Sequence, residues 1–171
     1  MHFEKVSLKQ YAHDVTLYHP EKGGDMFITT LIDETYDEIK LPKQGTARSM
    51  GMDFFAPYDI IIPSKEYVVV PTGIRWVANP IDDNLGLIIV PRSGLGFKHG
   101  LRLANTIGVI DADYYKADNE GHIMIKLFNP SDDFMEIKQG KGFVQGIVTD
   151  FYICDGAESD ESRFGGFGST G

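Results

Sequence analysis

Cysteine is almost missing from this chain: Cys154 stands alone among 171 residues. That excludes a disulfide framework, and the expected compartment is a reducing cytoplasm. No run of about 18 apolar residues occurs, so no helix is expected to span or anchor to a membrane. Met1–Gln10 already carries Glu4, Lys5 and Lys9, which is unlike a signal peptide. The five histidines are scattered, and no Cys/His group has zinc spacing. Positive charge is in short supply, with 16 Lys and Arg against 25 Asp and Glu and a net charge of −9. A general nucleic-acid surface is therefore excluded. A small phosphorylated ligand is not, since a few local cations and backbone N–H groups hold one. The Gly-Lys-Ser/Thr ending of a P-loop is absent as well. What remains is an ordinary globular composition, 42% hydrophobic and 24% charged, long enough for one domain with a real core.

Residues 1–36 carry no evident chemistry and read as packing or a surface for a protein partner. Phe3 and Val6 suit a short strand. Ser7-Leu8-Lys9-Gln10 has capping-box spacing and predicts a short helix to about Val15. Met26–Ile32 fits a short helix or a strand equally. From Glu38 the texture changes to short apolar runs, each stopped by Pro or Gly: Tyr58–Ile62, Tyr67–Val70, Ile74–Ala78, Leu85–Val90. That spacing predicts an all-β sandwich or barrel. Trp76 is expected in the core. Asp53, directly after Gly51-Met52, reads as loop chemistry. Phe134–Ile137 and Phe143–Ile153 are the last expected strands, and Cys154 is expected to pack at a strand end.

The chain is organised around Asn105–Tyr115. Thr106–Ile110 reads as a buried strand, and Asp111 and Asp113 would share a face if the strand continued. Aspartates are ionised at neutral pH and can orient and deprotonate a water. Tyr114 and Tyr115 offer flat surfaces, and Gly108 permits close approach of a ligand. A polar loop and a strand at His122–Phe128 follow, so Asp111–Asn129 reads as a β-hairpin with an enlarged tip. Upstream, Pro91-Arg92-Ser93-Gly94-Leu95-Gly96 ends a strand with an Arg, a hydroxyl and bare backbone N–H groups. These suit an anion at the head of a short helix running to Gly100. Gln145, polar within an apolar strand, needs either a core partner or a ligand. The tail from Asp155 is acidic and rich in Gly and Ser, and cannot build a core of its own. Arg163, Phe167, Gly168, Ser169 and Thr170 nevertheless suit a flexible arm that folds over a flat phosphorylated ligand.

Five ordered motifs resemble those of the trimeric dUTPases. They are Gly51-Met52-Asp53, Pro91–Gly96, Gly108–Tyr114, Gly140–Gln145 and Gly165–Gly171, and the likeness covers most of the chain from Glu38. The resemblance implies a mainly β, jelly-roll-like barrel or sandwich, with residues 1–36 as an N-terminal extension, 37–154 as the β domain and 155–171 as the arm. It implies a homotrimer that cleaves dUTP to dUMP and pyrophosphate with Mg²⁺, keeping uracil out of DNA and supplying dUMP. Asp111 matches the carboxylate that activates the attacking water, and Tyr114 the ring under the deoxyribose that leaves no room for a 2′-hydroxyl. Asn105, Gly108, Ile110 and Met124 fall where the family hairpin meets uracil. Arg92, Ser93, Gly94 and Gln145 match phosphate contacts, and Asp53 a supporting acid near them. Phe167 matches the ring stacked on uracil; Arg163, Gly168, Ser169 and Thr170 belong to the closing arm. The metal is expected on triphosphate oxygens rather than on a protein cage. Three departures stand out: a longer hairpin tip, Lys141-Gly142 in place of an acid and Arg, and Arg163 one residue nearer the glycines. A dCTP deaminase would need a Glu about where Lys126 stands, and a non-catalytic nucleotide sensor would have no need of Asp111 and the tail.

Overall fold

The computed structural model describes residues 1–19, 32, 35–78, 84–157 and 165. Residues 26–31 of the ambiguous segment, and Arg163, Phe167, Gly168, Ser169 and Thr170 of the arm, lie outside these. The described chain is mainly β. The largest sheet has five strands in the order β2 (Lys43–Gln44), β3 (Met52–Phe55), β12 (Gly142–Asp150), β7 (Leu85–Pro91) and β9 (Gly108–Ile110). A second sheet has the order β5 (Tyr67–Pro71), β10 (Met124–Phe128) and β8 (Arg102–Leu103). Two pairs complete the set: β1 (His2–Lys5) with β6 (Ile74–Val77), and β4 (Ile60–Ile62) with β11 (Met135–Ile137). The many crossovers between sequence neighbours make a jelly-roll-like fold, as the punctuation by Pro and Gly predicts.

Alternation along the strands builds the core. Phe54, Ile60, Ile62, Ile74, Trp76, Leu87, Ile89, Leu127 and Phe143 are all buried to within a few per cent. Each large apolar side chain removed from water contributes about 1.5–3 kcal/mol. Trp76 lies in this core, as its alternation with Ile74 indicates.

The N-terminal segment belongs to the same core. β1 pairs antiparallel with β6, placing Phe3 opposite Trp76, and the Phe3 ring meets Phe54 edge-on at 5.5 Å. Helix α1 (Leu8–Tyr18) buries Tyr11, Asp14 and Val15. It runs one turn beyond the expected end at Val15, because no breaker intervenes before His19. Half of the expected capping box forms: Ser7 Oγ accepts from the Gln10 N–H at 3.1 Å. The other half does not. Gln10 donates instead to Asp14, one turn on, at 2.8 Å, and the Ser7 N–H donates to Glu120 at 2.8 Å. A carboxylate is a stronger acceptor than the side-chain amide it displaces.

Four other sequence expectations change. Asp53 lies within strand β3 rather than in a loop. The segment from Thr106 is strand only over Gly108–Ile110. Thr106 has φ +68°, and Ile107 and Val109 are 44% and 59% exposed, so only its Ile110 end is buried. No paired hairpin forms over 111–129, since β9 bonds to β7 while β10 bonds to β5 and β8. Finally, β12 ends at Asp150, and Cys154 beyond it is exposed.

Candidate active site

One end of the five-stranded sheet gathers an anion-binding group. β12 lies between β3 and β7, so Gln145 stands opposite Asp53 on one side and Val90 on the other. Arg92 follows the end of β7, and its Nε lies 3.0 Å from Asp53 Oδ1. Its Nη1 donates to the Gly142 carbonyl at 3.3 Å. Held on one side by a carboxylate and a carbonyl, the guanidinium keeps other N–H donors for a ligand. Two glycines make this approach feasible. A Cβ on Gly51 would lie 2.6 Å from Gln145 Oε1, and one on Gly142 would lie 2.9 Å from Arg92 Nη1. Gly51, Asp53, Arg92 and Gln145 line a cavity of about 310 Å³. Ser93 and Gly94 open helix α2 (Ser93–His99), which ends at Gly100 in the left-handed conformation. The first intrahelical bonds run from the Leu95 and Gly96 N–H groups to Arg92 O. The N–H groups of Ser93 and Gly94 therefore precede the helical ladder, as in any first turn.

A second cavity, of about 550 Å³, lies between β9 and β10 where the expected hairpin splays apart. Asn105, Gly108, Ile110 and Met124 all line it. β9 bonds to β7, while β10 is the middle strand between β5 and β8, so the two arms belong to different sheets and the slot lies between them. Tyr18, Val69, Ile89 and Lys126 line the same cavity. Sequence reasoning missed Tyr18, because nothing in residues 1–36 signals that α1 reaches this slot.

Asp111, itself exposed, follows the buried Ile110 at the end of β9. Strand geometry stops there: the Tyr114 N–H donates to Asp111 O at 3.1 Å, and Tyr114–Lys116 form a 3₁₀ turn. Asp111 and Asp113 therefore do not share a strand face. The turn carries Tyr114 inward to 5% exposure. Its hydroxyl donates to His122 O at 3.1 Å and accepts from Asn119 Nδ2 at 2.9 Å.

The two cavities belong to different regions of the chain. β3 and β9 are three strand spacings apart in the sheet order, or about 14 Å. Along the strands, Asp53 lies level with Val90 and Ile110 with Leu87, and Asp111 is one residue further on. That adds about 14 Å, for a diagonal of about 20 Å between Asp53 and Asp111. Arg92 is drawn toward Asp53, away from β9. Within one chain, then, the structure joins Asp53, Arg92 and Gln145, and separately joins Asn105, Gly108, Ile110 and Met124 beside Asp111. It does not join the two groups.

Comparison with known proteins places the fold in a family. The dUTPase family model matches residues 37–171. The deoxyuridine 5′-triphosphate nucleotidohydrolase of Lactococcus lactis is 38% identical over 136 residues, covering 78% of this chain and 89% of that protein. The enzyme of the same name from Sodalis glossinidius is 34% identical over 142 residues, covering 79% and 89%. Among solved structures, the Streptococcus mutans dUTPase superposes with a TM-score of 0.67 at 29% identity, covering 91% of this chain and all of that one. The fold is that of a nucleotide-hydrolysing enzyme class. The chain belongs to the dUTPase family.

Proposed function

We propose that this protein hydrolyses dUTP to dUMP and pyrophosphate, in a site shared between neighbouring chains of a homotrimer. The observation that carries the reading is the slot between β9 and β10, where Asn105, Gly108, Ile110 and Met124 come together beside Asp111. Uracil enters this slot and pairs with backbone groups; a 5-methyl is crowded out, and cytosine presents the wrong donors. Asp111 takes a proton from a water as that water attacks the α-phosphorus. The bond to the bridging oxygen breaks and pyrophosphate leaves. General-base assistance of this kind contributes about 10²–10⁴-fold.

Tyr114 lies under the deoxyribose and closes the space a 2′-hydroxyl would need. Arg92, Ser93, Gly94 and Gln145 bind the phosphates, with Asp53 orienting the Arg92 fork. The distance of about 20 Å between Asp53 and Asp111 supports a shared site: a nucleotide held by one chain's Asp111 takes its phosphate contacts from another. A closed ring of three chains supplies three equivalent sites. Arg163, Phe167, Gly168, Ser169 and Thr170 close over the bound nucleotide. The donor set suits Mg²⁺ carried by the substrate, since Asp53 is engaged with Arg92 and phosphate oxygens are hard ligands. Bound there, the ion would offset charge on the departing pyrophosphate.

Pyrophosphate release with Mg²⁺ across dUTP, dTTP, dCTP and UTP tests the reading. Release from dUTP alone is expected. Release from several nucleotides would break the selectivity account, and none from dUTP would refute the activity.

A further inference from the structure

Helix α1 lies outside the part of the chain that matches the family model, which begins at residue 37. It is nevertheless tied to the turn that carries Tyr114. Asp14 and His122 are both buried, at 4% and 0% exposure. His122 Nδ1 and Asp14 Oδ2 are 2.6 Å apart. On its other side, His122 Nε2 accepts the Gly73 N–H at 2.7 Å. A backbone N–H can only donate, so Nε2 keeps its lone pair; Nδ1 carries the proton and donates to Asp14. The ring is thus fixed at both nitrogens. Burying a carboxylate is costly unless it is paired and hydrogen-bonded, and Asp14 meets both conditions through His122 and Gln10.

What it positions is the backbone of residue 122. That carbonyl accepts the Tyr114 hydroxyl at 3.1 Å and Asn119 Nδ2 at 3.4 Å. A second tie lies two residues before His122, at the surface. Glu120 accepts from the Ser7 N–H at 2.8 Å and from Ser7 Oγ at 2.7 Å. Between these ties sits Gly121, with φ +71°, where a Cβ would lie 2.5 Å from Tyr115 Cα. The tip therefore presses directly on the backbone of the Tyr114 turn while α1 holds it from behind. The far end of α1 contributes Tyr18 to the nucleoside cavity.

We propose that Asp14 and His122 are positioning residues for Tyr114, so that the N-terminal helix takes part in excluding ribonucleotides. This rests on the reading that Tyr114 closes the 2′-position. The test compares kcat/KM for dUTP with that for UTP in the full-length protein, alongside the melting temperature. Asp14→Ala should lower the dUTP preference by about tenfold or more, the scale set by misplacing a site group from a distance. Asp14→Asn keeps an acceptor for His122 Nδ1–H and should restore most of the preference. Glu120→Ala, at the surface, should move the ratio the same way by less. A folded Asp14→Ala protein with the wild-type ratio would overturn the proposal, however far its melting point falls. Should Asp14→Ala not fold, an unchanged ratio in Glu120→Ala would overturn it. Tyr114→Ala runs in the same assay: if it leaves the ratio unchanged, the account of Tyr114 fails first, and this one with it. If Tyr114→Ala changes the ratio and the Asp14 and Glu120 variants do not, only the positioning role is lost.

Discussion

Two inactive variants should restore each other. Asp111→Asn removes the proposed base, and Arg92→Ala removes the proposed phosphate fork. In one chain these residues serve different cavities, and Asp53, which holds Arg92, lies about 20 Å from Asp111 across the sheet. Each working site then needs Asp111 from one chain and Arg92 from its neighbour. In a ring assembled at random from equal amounts of both variants, a site is intact when the first position holds the Arg92 variant and the next holds the Asp111 variant. Each condition is met half the time, so about one quarter of wild-type pyrophosphate release should return. Each variant alone should retain little, since loss of a general base costs about 10²–10⁴-fold. The assay is co-refolding at several mixing ratios, with the maximum expected at equal amounts. A mixture no more active than its components would refute the reasoning, because it would mean that one chain supplies both residues to one site.

Tyr114→Ala should narrow the preference for dUTP over UTP, measured as a ratio of kcat/KM, while leaving hydrolysis of dUTP detectable. A chain cut after Ser162 should keep its melting point but hydrolyse dUTP poorly; full activity would make the arm dispensable. Gly51→Ala should weaken dUTP turnover with little change in melting temperature, because its Cβ would lie 2.6 Å from Gln145 Oε1 and displace that amide. The hydrogen bonds from Ser7 hold the Glu120 carboxyl below its ordinary value of 4.5. A depressed folded pKa means that the stabilisation is present above the ordinary value and is lost as pH falls through the folded one. The difference in melting point between wild type and Glu120→Gln should therefore be largest near neutrality and shrink below about pH 4; a constant difference would refute the assignment.

How much of this was legible in the chain depends on the range of the interaction. Most of the strands cut off by Pro, the buried Trp76, the short helix after Arg92 and the Ser7 cap are local matters of alternation, punctuation and first-turn chemistry, and the sequence alone determined them. Motif order likewise pointed to the dUTPase family, because five short patterns in sequence need no coordinates to be read. Asp53 was harder. Its place in a strand depends on pairing with β2 and β12, and nothing beside Gly51 announces that. The apparent hairpin at 111–129 looked paired because its arms are adjacent in sequence. Only the tertiary structure decided that each arm joins a different sheet and that the slot between them is open. The same holds for residues 1–36, which carry no motif. Tyr11 and Val15 are buried, and Asp14 meets His122, 108 residues away, only because β1 docks on β6 and brings α1 over the tip. Local physics sets what each segment can become, while the long-range pairing of strands and buried polar groups sets which segments meet.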